Sequence, residues 1–307
     1  MKCIVTGATS FIGLNLTQHL LNNGNEVYAV CRKNSVAQFN VPVGAIIIDA
    51  DMSEYGMLCR KIREADIFIN LAWEGTGHGG RDMKDVQLDN IRHTLQAIHS
   101  AKAMGCQVFV EAGSQAEYGT VMEIITEETP CYPFSEYGKA KLEVKERAFP
   151  LCAELGMKYI HLRIFSVFGE NDHPWTLVMS ALDKMLRNEV IDLSPCTQNW
   201  NFIYVKDAVH QIARLCEYAT SSKEFRQEVF NIASSDTRVL KEFVEEMKLL
   251  THSVSELNFG AMTPNHVVSL QPDVTKLIKT TKLMTFTPFE EGIKAILYVK
   301  NIDSEYS

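Results

Sequence analysis

A phenol and an ammonium four residues apart, Tyr137 and Lys141, carry the strongest chemical signal in this chain, in the run Tyr137-Gly138-Lys139-Ala140-Lys141. On a helix that spacing sets both side chains on one face, about one turn apart. A cation beside a phenol favours the phenolate, which makes the tyrosine a usable proton donor and acceptor nearer neutral pH. Any exposed helix can carry such a pair by chance. Its meaning comes from two other features: Ser114 lies 23 residues earlier, after an apolar run, and a glycine-rich turn opens the chain.

That turn is Thr6-Gly7-Ala8-Thr9-Ser10-Phe11-Ile12-Gly13, between a strand-like run and a helix-like one. Gly7 permits the tight turn, a small Ser10 lets the backbone approach a pyrophosphate, and Gly13 lets the helix pack closely on the strand. The helix start, with Phe11 and Ile12 in its first turn, supplies free N–H groups and a favourable dipole for phosphate. Ser10 stands where a middle glycine is usual and adds a hydroxyl. A second strand then ends in Arg32-Lys33, with no acidic residue from Ala29 through Gln38. A carboxylate here would take a ribose 2′-hydroxyl, whereas an arginine accommodates a 2′-phosphate. The pattern favours NADP over NAD as cofactor, against the plainer reading of two solvated loop charges.

The elements that must position these groups alternate. Strand-like runs at 2–6, 26–31, 45–49, 67–71, 108–112 and 159–165 are apolar throughout, as strands covered on both faces require. Helical patterns at 12–22, 54–64, 82–104 and 135–155 separate them, the last expected to break near Pro150. This alternation predicts an α/β fold with a doubly wound parallel sheet of the Rossmann kind. After Gly169 the pattern loosens into shorter elements at 175–188, 201–205, 207–218, 229–233, 240–250 and 288–299. We therefore expect a cofactor-binding domain over 1–169, with 201–235 returning to it, and a smaller mixed α/β substrate lobe over 170–307.

The 307 residues are 46% hydrophobic and 22% charged, enough for a substantial core. A net charge of −8 argues against a general nucleic-acid surface. Eight cysteines are scattered without a C-x-x-C pair, which fits reduced thiols, and no metal-ligand spacing appears. Met1-Lys2-Cys3 runs straight into a strand-like segment, and no apolar stretch approaches the roughly 20 residues of a membrane span. A cytoplasmic protein without leader or membrane segment is expected.

These ordered motifs resemble the extended short-chain dehydrogenase/reductase family, in its nucleotide-sugar epimerase, dehydratase and reductase branch, over about residues 1–235. The opening turn at 6–13 is similar to the family's own. Asp51-Met52 resembles its Asp-Leu pair at the adenine, Leu71-Ala72-Trp73 its Leu-Ala-Ala stretch beside the cofactor, and Asn90 its helix asparagine. Gly113-Ser114-Gln115-Ala116-Glu117-Tyr118-Gly119 resembles its Ser-Ser-x-x-x-Tyr-Gly segment, Tyr137 and Lys141 its Tyr-x-x-x-Lys. The runs 162–169 and 202–207 match its Leu-Arg and Phe-Ile-x-Val-x-Asp segments. The resemblance implies that Tyr137 exchanges a proton with a sugar oxygen, that Ser114 holds that oxygen, and that Lys141 lowers the tyrosine's pKa and binds the nicotinamide ribose. It also implies a homodimer through the helix at 82–104, whose Val86, Asn90, His93, Thr94, Ala97 and Ala101 lie on one side.

Two departures bear on the reaction. Trp200-Asn201 stands where many sugar epimerases carry an arginine-aspartate pair, and Gln115-Ala116-Glu117 replaces the Thr-Asp-Glu-like triplet of many dehydratases. Glu117 alone could be an acid, but the dehydration set is incomplete. Trp73, His78, Gln115, Asn171 and Trp200 are the candidates for touching substrate; for His78 and Asn171 the alternative is an ordinary polar loop. The favoured reading is NADP-dependent reduction of a nucleotide-activated keto sugar, a 4-keto-6-deoxy hexose. A nucleotide-sugar 4-epimerase with held NAD is the second reading. A cofactor-sensing module without catalysis is the third, disfavoured because both Tyr137 and Lys141 are present.

Overall fold

The structure is a computed structural model and describes residues 1–77, 79–263 and 268–305. In chain order its elements are β1 (Lys2–Thr6), α1 (Phe11–Asn22), β2 (Glu26–Cys31), β3 (Ile46–Asp49), β4 (Ile67–Asn70), α2 (Lys84–Ala103), β5 (Val108–Ser114), α3 (Glu136–Glu154), β6 (Lys158–Ile164), β7 (Ser166–Phe168), α4 (Leu177–Leu186), β8 (Ile191–Leu193), β9 (Asn199–Tyr204), α5 (Val205–Ser221), β10 (Gln227–Ile232), β11 (Thr237–Val239), α6 (Leu240–Leu250), β12 (Leu257–Phe259), α7 (Thr275–Thr281) and α8 (Phe289–Glu305). Seven strands form one parallel sheet in the order β10-β6-β5-β4-β1-β2-β3. The strand order reverses between β1 and β4, so the carboxyl ends of those strands open the crevice in which such sheets bind ligands.

The sheet is covered on both faces, which is why its strands are apolar without alternation. Cys3, Val5, Val27, Val110 and Leu162 meet Leu16 and Leu20 of α1 and Val209 and Ile212 of α5. On the other face Ile4, Phe68, Phe109 and Tyr159 meet Ile98 and Ala101 of α2 and Ala148 and Cys152 of α3. Phe68 stacks on Phe109 with ring centres 5.0 Å apart, and Phe109 on Tyr159 at 6.2 Å. A further aromatic cluster, Phe168, Phe202, Phe243 and Phe289, ties β7 and β9 to α6 and α8. The strands β11-β9-β7 and β12-β8 form two small separate sheets. All eight cysteines are free thiols. Among the described residues no helix is long and apolar enough to cross a membrane, and no His/Cys/Asp/Glu group could hold a metal ion.

Three expectations are corrected. The break near Pro150 does not occur: α3 runs through it. Pro150 is exposed while Ala148 and Cys152 are fully buried, so packing holds the helix, and the carbonyl that loses its partner faces water. The run 54–64 is a 3₁₀ helix at Met52–Arg60, opened by a reciprocal Asp51–Glu54 capping box. The side of α2 assigned to a dimer face is turned inward instead. Asn90, Thr94, Ala97 and Ala101 are each at most 1% exposed, while Leu88 faces out at 47%. Small residues on a helix mark close packing, and here the partner is the chain's own sheet.

Candidate active site

The first turn of α1 lies at the carboxyl edge of β1. The Ser10 hydroxyl caps the helix by accepting the Gly13 N–H at 3.1 Å. Gly7 has φ +64°, and a Cβ there would sit 2.9 Å from the Ala72 nitrogen; a Cβ on Gly13 would overlap the Gly7 carbonyl oxygen. Both glycines are therefore required by close approach, Gly7 by its backbone conformation as well. The result is a cradle of free N–H groups with no side chain in the way, which fits a pyrophosphate.

Arg32 and Lys33 follow β2. The Lys33 ammonium pairs with Glu54 at 2.8 Å, and its backbone N–H points at Asp51 at 3.4 Å. Gln38 joins the Arg32 carbonyl (2.8 Å) to the Asp49 carboxylate (2.6 Å). Among the described residues the Arg32 guanidinium has no ion-pair partner, so of the two cations Arg32 is the available one. Asp51 with Met52 starts the 3₁₀ helix beyond β3. Leu71 and Ala72 follow β4, and the Ala72 N–H donates to the Thr6 hydroxyl at 3.3 Å. Asn90 fixes the same loop by bonding both the N–H and the carbonyl of Glu74, at 3.0 and 2.9 Å.

Ser114 ends β5, and Tyr137 and Lys141 lie on the first turns of α3, whose start Ser135 caps by accepting the Gly138 N–H. All three line one cavity of about 520 Å³ together with Ser10, Phe11, Ile12, Leu71, Trp73 and Gln115. The Ser114 hydroxyl accepts the Ala116 N–H at 3.2 Å, and its side chain acts to lower the Tyr137 phenol. Lys141 is 2% exposed; its ammonium donates to the Ala112 carbonyl at 2.5 Å, lies 3.4 Å from the centre of the Trp73 ring and 3.5 Å from a Glu111 carboxylate oxygen. Burial pulls the Lys141 ammonium down to about 8 against the opposing pull of Glu111 and Glu117. Burial likewise pushes Glu111 up to about 7, against Lys141 and the amide of Asn70, which donates to it at 2.7 Å.

The Tyr137 phenol lies above its ordinary value: burial raises it more than the Ser114 hydrogen bond and the Arg81 guanidinium lower it. Lys141 was expected to lower this tyrosine, and in the structure Ser114 and Arg81 are the groups that lower it most. The ammonium is 5.9 Å from the phenol ring centre and already engaged by Glu111.

Trp73 and Gln115 reach the cavity, the Trp73 indole N–H anchored on Gln87 at 2.8 Å. Asn171 instead borders a neighbouring groove with Thr9, Asn40 and His173, and Trp200 packs against Phe202 beside the hydrophobic clusters, away from the cavity. His78 lies outside the described residues. Glu117 cannot be an acid toward substrate: it is fully buried behind Ser114, bonded to the Ser114 N–H (2.8 Å), His161 (2.9 Å) and Arg163 (2.9 Å). Arg81, Thr76, Ser166, His173 and Trp175 also line the cavity. His173 stacks on Trp175 with ring centres 4.4 Å apart. Arg81 had one readable signal, a lone cation in the glycine-rich loop after β4.

Comparison with known proteins agrees with this fold. The model of the NAD-dependent epimerase/dehydratase family matches residues 3–233. A CDP-abequose synthase of Salmonella muenchen is 23% identical over 97% of this chain and 98% of its own. A dTDP-6-deoxy-L-talose 4-dehydrogenase (NAD(+)) of Aggregatibacter actinomycetemcomitans is 27% identical over 80% of this chain and 89% of its own. Among solved structures, a UDP-glucose 4-epimerase of Thermotoga maritima, determined with UDP-glucose, superposes with a TM-score of 0.87 at 22% identity, covering 98% of this chain and 99% of that one. The chain belongs to the NAD-dependent epimerase/dehydratase family and is an NAD(P)-dependent enzyme of the extended short-chain dehydrogenase/reductase type.

Proposed function

We propose that this enzyme uses NADPH to reduce a nucleotide-activated 4-keto-6-deoxy hexose to its 4-hydroxy product. The observation that carries the reading is the Arg32 guanidinium after β2, which has no ion-pair partner among the described residues and is free to take a 2′-phosphate, since NADPH is the usual reducing pool. The substrate class draws on the relatives, one of them named for a 4-dehydrogenase acting on a dTDP-linked 6-deoxy sugar.

In this reading Gly7, Ser10, Phe11, Ile12 and Gly13 hold the pyrophosphate, Asp51 and Met52 border the adenine, and Leu71 and Ala72 flank the nicotinamide. The bound cofactor supplies the hydride. Tyr137 passes its proton to the ketone oxygen, and Ser114 holds that oxygen by hydrogen bond, a positioned acid and donor. Lys141, fixed by Glu111, Ala112 and Trp73, presents its remaining hydrogens toward the cofactor ribose. Gln115 and Trp73 contact the sugar. Residues 1–169 with the returning segment 201–235 form the cofactor domain, and 170–307 the substrate lobe. A homodimer would form through the outer faces of α2 and α3, where Leu88, Leu95 and Leu151 meet Arg92 and Arg147.

The second reading, a 4-epimerase with held NAD, is favoured by one observation: Asp49, Asp51 and Glu54 gather at the same sheet edge as Arg32, and Glu54 already neutralises Lys33. Absorbance of the purified protein and turnover with NADPH separate the two. A protein that emerges without cofactor and consumes NADPH with nucleotide-linked 4-keto-6-deoxy hexoses supports the reductase. Retained NAD, together with interconversion of 4-epimers and no net cofactor consumption, would overturn it.

A further inference from the structure

We propose that Arg81 is a further catalytic residue, the cation that stabilises the Tyr137 phenolate formed when the proton leaves for substrate. The guanidinium carbon lies 4.4 Å from the centre of the Tyr137 ring, and Arg81 lines the cavity that Ser114 and Tyr137 line. Its Nε is buried without a hydrogen-bond partner, and it has no ion-pair partner among the described residues. The short 3₁₀ helix Gly80–Asp82 that carries it is held by Gln87, whose amide nitrogen donates to the Gly80 carbonyl at 2.9 Å and whose amide oxygen accepts the Trp73 indole N–H. The arginine is thus positioned by the residue that positions the ring beneath Lys141.

The charges facing Tyr137 decide the matter. On its own helix, Lys141 is 5.9 Å from the ring centre with Glu111 at 3.5 Å offsetting it. From the end of β5, the Glu117 carboxylate acts against the phenolate but is itself paired with Arg163 and His161. Trp73 contributes only a ring edge, with centres 6.1 Å apart. Arg81 is the cation left without an anion. The field of the guanidinium over the ring draws the phenol downward against burial.

During reduction the carbonyl π bond breaks as hydride adds to carbon. The phenolic O–H bond breaks, its proton goes to the former carbonyl oxygen, and the electron pair stays on Tyr137 until solvent restores the proton. An opposite charge a few ångströms away stabilises that pair.

The inference rests on Tyr137 being the acid of the proposed reaction, but its test needs neither substrate nor cofactor and therefore fails independently of that reading. Phenolate absorbance is recorded in a stopped-flow pH jump, before unfolding, and the Tyr137 signal is isolated as the difference from the matching Tyr137→Phe protein. Arg81→Gln should move the Tyr137 titration up by about one pH unit or more, and Arg81→Lys should restore most of that shift. With a working substrate, Arg81→Gln should lower kcat roughly tenfold or more, following the shifted titration. An unchanged titration in Arg81→Gln overturns the proposal. So does an Arg81→Lys protein shifted as far as Arg81→Gln, which would make the role one of shape rather than charge.

Discussion

Replacing Glu117 by glutamine should destabilise the protein by about 3 kcal/mol at neutral pH and disturb Ser114, the proposed oxygen-holding serine, at the same time. Burial by itself would raise the Glu117 carboxyl. His161, Arg163 and the Ser114 N–H outweigh burial and hold it down to about 2, from an ordinary 4.5. That difference, at about 1.36 kcal/mol for each pH unit, amounts to about 3 kcal/mol for a fully buried group. Breaking one side of a buried ion pair costs roughly 3–5 kcal/mol by an independent route, so the two agree. Burial keeps His161 below its ordinary value, so the neutral ring donates Nε2–H to Glu117 and accepts the Tyr159 hydroxyl at Nδ1. A glutamine offers one acceptor oxygen where three donors converge, and its NH₂ would face one of them. For 307 residues the unfolding entropy is roughly 0.6 kcal/mol per degree, which places the Tm loss near 5 °C. Because the carboxyl is depressed in the folded state, its contribution is complete above about 4.5 and is lost as pH falls toward 2. Thermal melts of both proteins across that range should therefore converge in acid. Turnover should fall roughly 10–100-fold, because the Arg163 guanidinium would face the new NH₂ instead of Oε2 and the turn that carries Ser114 shifts. Equal Tm values at neutral pH, or a gap that does not close in acid, would refute the reasoning.

Tyr137→Phe should lower turnover roughly 10²–10⁴-fold while leaving NADP binding intact, as steady-state rates beside cofactor titrations would show; a mutant keeping most of its activity removes Tyr137 from the mechanism. Lys141→Met should weaken cofactor binding and also strand Glu111, buried at 0% exposure, without a counter-charge. Burial already raises that carboxyl to about 7, so the stability deficit should be small in mild acid, where Glu111 is protonated, and grow as pH rises past about 7; urea melts on both sides of that pH test the trend, and a pH-independent deficit counts against the pairing. Arg32→Ala should cost NADP about 2 kcal/mol, about 30-fold in Kd, and NAD little. If the wild type prefers NAD, or the mutant weakens both equally, the 2′-phosphate reading fails and the epimerase gains.

The parallel sheet and the cradle at its edge were legible because both follow from local rules. Gly7 and Gly13 are dictated by contacts within one strand-turn-helix unit, and uninterrupted apolar strands imply two covered faces. Tyr137 and Lys141 were legible because one helix fixes their relation. What failed depended on partners distant in sequence. The small residues of α2 mark a packed face, but the pattern does not say whether the partner is a sheet or a second chain. Asn171 follows β7 in a loop and Trp200 lies on β9 of a separate small sheet, and no local rule sets where either points. Arg81 reaches Tyr137 across 56 positions, and only the folded loop shows which cation has an anion beside it.

One signal was present and unused. In Val108-Phe109-Val110-Glu111-Ala112-Gly113-Ser114-Gln115-Ala116-Glu117, two carboxylates sit in a segment that must be buried, and a buried carboxylate has to be paired or protonated. Pairing Glu111 with Lys141 and Glu117 with Arg163 accounts for both. It also accounts for Gly113, where the resembling motif has serine: a Cβ there would overlap His161 Nε2 and Glu117 Oε1, so the buried network and the missing side chain require each other. The two pairs act in opposite ways on the chemistry. Glu117 anchors Ser114 and leaves it free to hold the reacting oxygen, whereas Glu111 engages the charge that would otherwise act on Tyr137. An enzyme that offsets its own lysine in this way needs another cation for its phenolate, and the loop after β4 supplies Arg81.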